Sequence, residues 1–162
     1  MIGLIIILFI IGAFSAWWLT RGTYIVKVKK DQVMEFKSAM DLAGLPIITF
    51  YQGENKYNFL LDTGSNVSYI NDSVDIETSE SVGTDSFIGA CGTAQDCIVA
   101  TVVLYHSKKS YIQVVRKTNL SAAFTEIKNA TGVQLSGILG NDFFTQYQYC
   151  LDFKELVCYS RK

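Results

Sequence analysis

Apolar residues in this chain come in short runs broken by clusters of turn formers, and that rhythm admits few folds. Residues 46–61 read PIITFYQGENKYNFLL, two runs rich in Ile, Phe, Tyr and Leu with GENK between them. β-Branched and aromatic residues fit a pleated, half-buried surface, and a Gly-containing cluster between two such runs predicts a hairpin. The pattern continues: SYIND closes another short strand, the Ser-, Thr- and Glu-rich stretch 72–85 predicts a loop, and SKKS separates IVATVV from YIQVV. Two further strands are expected around 149–153 and 156–159. Helical signals are brief. SAAFTEIKNATG has Ser121 as N-cap, Phe124 and Ile127 three apart and Gly132 past the end, and NDFFTQY fits a second short helix. The expected fold is therefore all-β, a small closed or orthogonally packed barrel with one or two short helices.

That domain occupies residues 46–162. Residues 1–20, MIGLIIILFIIGAFSAWWLT, carry no charge. About 20 apolar residues at ~1.5 Å each cover a bilayer core of roughly 30 Å, which predicts a transmembrane helix. A cleaved signal peptide would start with a basic region and hold a shorter apolar core, whereas this stretch begins uncharged and ends in Trp17 and Trp18, as interfacial belts do. Arg21, Lys27, Lys29 and Lys30 all precede the first acid, Asp31, so the positive-inside bias puts the soluble part on the cytoplasmic side of a single-pass anchor. Residues 21–45 are the most polar section and read as a juxtamembrane connector with one short helix. The formal net charge of -1 gives no basic excess that would draw the chain to nucleic acid.

Four cysteines, Cys91, Cys97, Cys150 and Cys158, form no C-x-x-C and have one histidine, His106, beside them in the whole chain, which argues against a zinc site. No cofactor is expected. Cys150 and Cys158 sit near the two ends of a predicted hairpin, where they either bridge in an oxidising compartment or pack as small hydrophobes in the cytosol. His106, next to Ser107 and two lysines, reads as an exposed turn residue. Four N-x-S/T triplets begin at Asn66, Asn71, Asn119 and Asn129, and they matter only in a secretory chain.

Residues 59–70, FLLDTGSNVSYI, set a carboxylate at the end of one apolar run and a turn before the next. Taken alone Asp62 is an ordinary turn aspartate. Two later features change that weighting. SGILGNDFF again carries apolar residues into a glycine, and between the two motifs lies a glycine-tipped hairpin, residues 87–98, with Gly89 and Gly92 around Ala90 and Cys91.

In this order the motifs resemble those of retropepsin-like aspartic proteases, over residues 46–160. Leu60 to Ser65 with Val67, Tyr69 and Ile70 look like the active-site loop, Gly137 to Phe144 look like the segment crossing beneath it, and the hairpin stands where the family has its flap. The resemblance implies a small closed acid-protease barrel and an aspartic endopeptidase. Asp62 would be one of two carboxylates sharing a proton, one acting as base on water and the other as acid toward the scissile carbonyl. Thr63 would lock the loop through its hydroxyl, Gly64 would admit close backbone approach, and Ser65 would support the carboxylate by a hydrogen bond. Ile88, Gly89, Ala90, Cys91 and Gly92 would contact a protein or peptide substrate. Asp142, at a predicted helix start, reads as a cap rather than a second catalytic acid. With one D-T-G in the chain, the second carboxylate must come from a second copy, and a homodimer follows. The competing reading is a catalytically inactive domain of this kind that binds an extended peptide or dimerises.

Overall fold

The computed structural model describes residues 32–79, 84–88 and 94–160. The expected membrane segment 1–20, the first part of the connector and the flap tip from Gly89 to Gly92 lie outside the described residues. Among the described residues no helix is long and apolar enough to cross a membrane.

The predicted hairpin forms as β2 (Ile47–Gln52) and β3 (Asn55–Leu61), paired antiparallel from Ile47 opposite Leu60 to Gln52 opposite Asn55. Strand β4 (Ser68–Asn71) follows, then two strands, β5 (Thr78–Ser79) and β6 (Thr84–Ile88), that both pair with β7 (Ala94–His106). They take four residues of the stretch 72–85 expected to be loop, Thr78, Ser79, Thr84 and Asp85, and residues 72–77 form no strand or helix. The long strands β7 (Ala94–His106) and β8 (Lys109–Thr118) form the largest hairpin, turning at Ser107 and Lys108. Helix α2 (Ser121–Thr131) leads to β9 (Gly137–Leu139), α3 (Asn141–Tyr147), β10 (Tyr149–Asp152) and β11 (Val157–Ser160).

Six of these strands close into a barrel in the order β2, β3, β9, β4, β8, β7, with Tyr51 opposite Tyr105 sealing the seam between β2 and β7. The alternation that suggested strands also fills the interior. Along β8, Tyr111, Gln113 and Val115 are buried while Ser110, Ile112 and Val114 are exposed. Phe50, Phe59 and Leu61 from β2 and β3 meet Val102 and Leu104 from β7 and Leu139 from β9 in one core. His106 departs from its expected place in an exposed turn. It is half-buried near the seam, its ring edge-on to Phe50 and its Nδ1 3.0 Å from the Thr49 carbonyl. A carbonyl only accepts, so Nδ1 carries the proton.

The folded unit begins before Pro46, where the sequence pattern placed its start. Strand β1 (Val33–Glu35) pairs with β11, and β11 with β10, in a separate three-stranded sheet. Met34 and Phe36, each 1 % exposed, join the barrel core through this sheet. Helix α1 (Lys37–Ala43) is the short helix expected in the connector. It packs with α2 over the outer face of β2, β3 and β9, where Ile47, Phe124 and Leu135 are buried and Leu60 and Ile138 lie against them. Helix α2 ends as expected, with Gly132 at φ 76 donating to the Lys128 carbonyl. Its start differs: Ser121 is the first helical residue rather than the cap, and its amide is taken by the Asn119 side chain.

Register also decides the cysteines. Cys158 stands opposite Leu151 and Cys150 opposite Tyr159. Cross-strand partners share a face and neighbours alternate, so Cys150 and Cys158 point to opposite faces and form no bridge. Burial, and secondarily the proximity of Cys150, pushes the Cys158 thiol up to about 12.

Candidate active site

Asp62 follows the last residue of β3, and its backbone continues the strand's pairing by donating to the Leu139 carbonyl at 3.0 Å. The next residues turn immediately. Gly64 N donates to Asp62 Oδ1 at 2.9 Å, and Ser65 N donates to the Asp62 carbonyl at 3.2 Å. A side chain at 64 has little room, since a Cβ there would sit 3.1 Å from Asp62 Oδ1. Thr63 and Gly64 are exposed and Asp62 is half-buried, so the loop presents its carboxylate at the molecular surface.

What fixes the loop is strand β9, three residues long and inserted between β3 and β4. It runs parallel to β3, with Leu60 opposite Ile138 and Leu61 opposite Leu139, and antiparallel to β4, with Tyr69 opposite Ile138. The two strands that flank the D-T-G turn are therefore held apart by a third that arrives from much later in the chain. Glycine makes this crossing feasible. A Cβ on Gly140 would lie 2.5 Å from the Val67 carbonyl oxygen and 2.8 Å from that of Ser65, and one on Gly137 would lie 2.4 Å from the Tyr69 oxygen. The following residue then tethers the loop twice: Asn141 N donates to the Ser65 carbonyl at 2.8 Å and Asn141 Nδ2 to the Thr63 carbonyl at 2.9 Å.

Asp142 has a wider role than a helix cap. Its Oδ2 accepts from Ser68 N at 2.9 Å and from Gln113 Nε2 at 3.0 Å, and its Oδ1 accepts from Ser68 Oγ at 2.7 Å and from Phe143 N at 2.8 Å. Ser68 Oγ in turn accepts from Gly140 N at 3.1 Å. One carboxylate thus ties β4, β8 and the start of α3 together directly behind the loop. Sequence reasoning placed Asp142 at the helix start but missed this brace, because Ser68 and Gln113 are remote in sequence and no local pattern names them as its donors.

Ser65 does not take the expected place beside the carboxylate. Its hydroxyl donates to the Val67 carbonyl at 2.8 Å and so shapes the loop, while the bond to the Asp62 carboxylate comes from the Gly64 amide. The residues expected to contact substrate are not brought to the loop by anything described: Ile88 ends β6, and Gly89, Ala90, Cys91 and Gly92 lie outside the described residues. Backbone pairing of β6 with β7, Thr84 opposite Ile98 to Ile88 opposite Ala94, does place a hairpin where a flap was expected in the chain order.

Chemically, the loop offers one surface carboxylate with a hydrogen-bonded, sterically fixed position. Amide hydrolysis by activated water asks for a base and an acid together, and Asp142 is already committed to its four donors. Set against known proteins, the chain matches no family model, and no curated protein matches it.

Proposed function

We propose that this chain is a membrane-anchored aspartic endopeptidase of the retropepsin-like kind, acting as a homodimer in which two Asp62 carboxylates meet. The observation that carries the reading is the pinning of the Asp62 loop over β9: a D-T-G turn at a strand end, buttressed by Gly140, Asn141 and Asp142, leaves its carboxylate at the surface. A lone turn aspartate has no need of that support. Two such carboxylates close together share one proton, because both cannot ionise side by side. The ionised one takes a proton from water as it attacks the peptide carbonyl, and the protonated one donates to the carbonyl oxygen; the newly protonated carboxyl then gives its proton to the amide nitrogen as the C–N bond breaks, while the other takes back the diol proton. Thr63, exposed at the loop, reaches across the dimer axis, and the hairpin ending at Ile88 covers an extended peptide. Residues 1–20 hold the domain at a membrane, on the cytoplasmic side by the basic residues that follow. Confinement there raises the effective concentration of protomers and favours the dimer.

Cleavage of a mixed peptide library by detergent-purified full chain, from acid to neutral pH, tests this. Activity should rise more than linearly with protein concentration, and Asp62→Asn should lower it by at least ~100-fold, the lower range for loss of a general acid or base. A crosslinkable dimer that cuts nothing would sink the enzyme reading and favour a peptide-binding module.

A further inference from the structure

Among the described residues seven large hydrophobic side chains stand exposed, and four of them belong to the single hairpin β7–β8. Its outward face carries Ile112 at 58 % exposure, Val114 at 51 % and Tyr105 at 48 %, and Tyr51, at 36 %, stands opposite Tyr105 on β2. These side chains adjoin one another. Tyr105 is opposite Ser110, two residues from Ile112 on the same face, and Val114 is two further on. The other flank of the barrel shows how this fold treats an outer apolar face that is to stay dry: Ile47, Leu60 and Ile138 are covered by α1 and α2. No described element covers Ile112 and Val114.

The hairpin's own sequence is basic, with exposed Glu77 the acid that lies beside it, its carbonyl and that of Val103 both accepting from the Gln52 amide. Between Asp96 and Glu126 the sequence has no acid, and it has four basic residues, including Lys108 at the hairpin turn and Arg116 on the outward face. Four more basic residues without an acid fall between positions 21 and 30, directly after the uncharged segment 1–20. In a chain of net charge -1 these are two local positive stretches, and one of them bears exposed aromatic and aliphatic side chains. Apolar and aromatic groups flanked by Lys and Arg suit the interface of an anionic bilayer, where basic residues are attracted to headgroups and the apolar groups enter the acyl boundary. The eleven residues 21–31 span at most about 36–40 Å when extended, which keeps the folded unit within reach of the surface.

We propose that the outer face of β7–β8 docks on an anionic lipid surface, the same one into which residues 1–20 insert. This rests on the anchor in the reading above and not on the protease chemistry. The domain is then laid on its side against the membrane rather than swinging freely from its tether.

The test uses the full chain in nanodiscs containing phosphatidylserine, with Ile and Val methyl groups labelled for NMR and a fraction of lipids carrying a headgroup gadolinium chelate. Relaxation enhancement at Ile112 and Val114 should exceed that at Ile127, on the helix over the opposite flank, several-fold. Lys108→Gln with Arg116→Gln should lower the docked-to-undocked ratio about fivefold per charge removed. A chain held in the disc with Ile112 and Val114 enhanced no more than Ile127 overturns the docking face and leaves the anchor standing. A chain that does not associate with discs overturns both. Protection of Ile112 and Val114 on self-association without lipid gives the face to a second copy and overturns the proposal as well.

Discussion

Removing the carboxylate of Asp142 is the most informative test of how the loop is held. In Asp142→Ala, Ser68 N and Gln113 Nε2 lose a charged acceptor in a place where Ser68 is 0 % and Gln113 1 % exposed. Gln113 already has a buried Oε1 without a partner, so its amide is left with the Val114 carbonyl alone. Hydrogen bonds to charged groups contribute ~1.5–3 kcal/mol each, and stranded buried donors lie in the same range. Two stranded donors give about 3–6 kcal/mol. Asp142 itself is half-buried, so water entering the vacated volume recovers part of this, and a loss of about 3 kcal/mol is expected. At ~2–4 °C per kcal/mol for a chain of this length, Tm falls by about 6–12 °C. Ser68→Ala removes one donor of the same network, so the double variant should be less destabilised than the sum by ~0.5–3 kcal/mol. Urea unfolding followed by circular dichroism measures both, and hydrogen exchange at the Ser68 and Gly140 amides reports the local opening. An Asp142→Ala protein within ~0.5 kcal/mol of the parent, or strictly additive with Ser68→Ala, would refute the brace.

Three further expectations follow from the same geometry. Gly140→Ala places a Cβ 2.5 Å from the Val67 oxygen with backbone on both sides, so a loss of ~1–3 kcal/mol should appear in the urea midpoint; unchanged stability would mean the crossing is looser than described. Cys158, with its thiol pushed up to about 12, should resist alkylation at pH 8 in the folded chain and react once urea unfolds it; equal rates in both states would contradict its burial. Burial and the hydrogen bond with Tyr149 also raise the Tyr111 phenol, so the unfolded chain deprotonates first at both groups. Stability is then full below pH ~8, where both unfolded groups remain protonated, and falls as pH rises first through the ordinary thiol range near ~8.5 and then through the ordinary phenol range near ~10, toward the folded values. A Tm that stays level between pH 9 and 11 would exclude that linkage.

Residues with local signatures were readable from the chain. The hairpin of β2 and β3, the turn after Asp62, the ends of α2 at Gly132 and of β8 at its alternation all depend on neighbours a few positions away. The decisive features of the candidate site do not. Gly137–Leu139 is too short to look like a strand, and it becomes one because β3 and β4 offer it edges on both sides. Asp142 and His106 find partners at Ser68 and Thr49, which no spacing rule connects to them. The Ser65 hydroxyl bonds the Val67 carbonyl and the Gly64 amide holds the carboxylate, a choice between two adjacent donors that the residue types alone do not decide. Cys150 and Cys158 missed each other by one position of register, a shift that reverses the face of every side chain.

The sheet that joins β1 to β11 also constrains the order in which this molecule can be made. Residues 33–35 leave the ribosome early, yet their partners are residues 157–159. Met34 and Phe36 therefore wait, unburied, through the synthesis of almost the whole barrel, and β9 must still be fitted between strands made long before it. Pairings so remote in sequence form slowly and leave strand edges open meanwhile. For a nascent chain with an apolar leading segment, the interval before the last strand arrives is the period of greatest exposure to aggregation and to quality control.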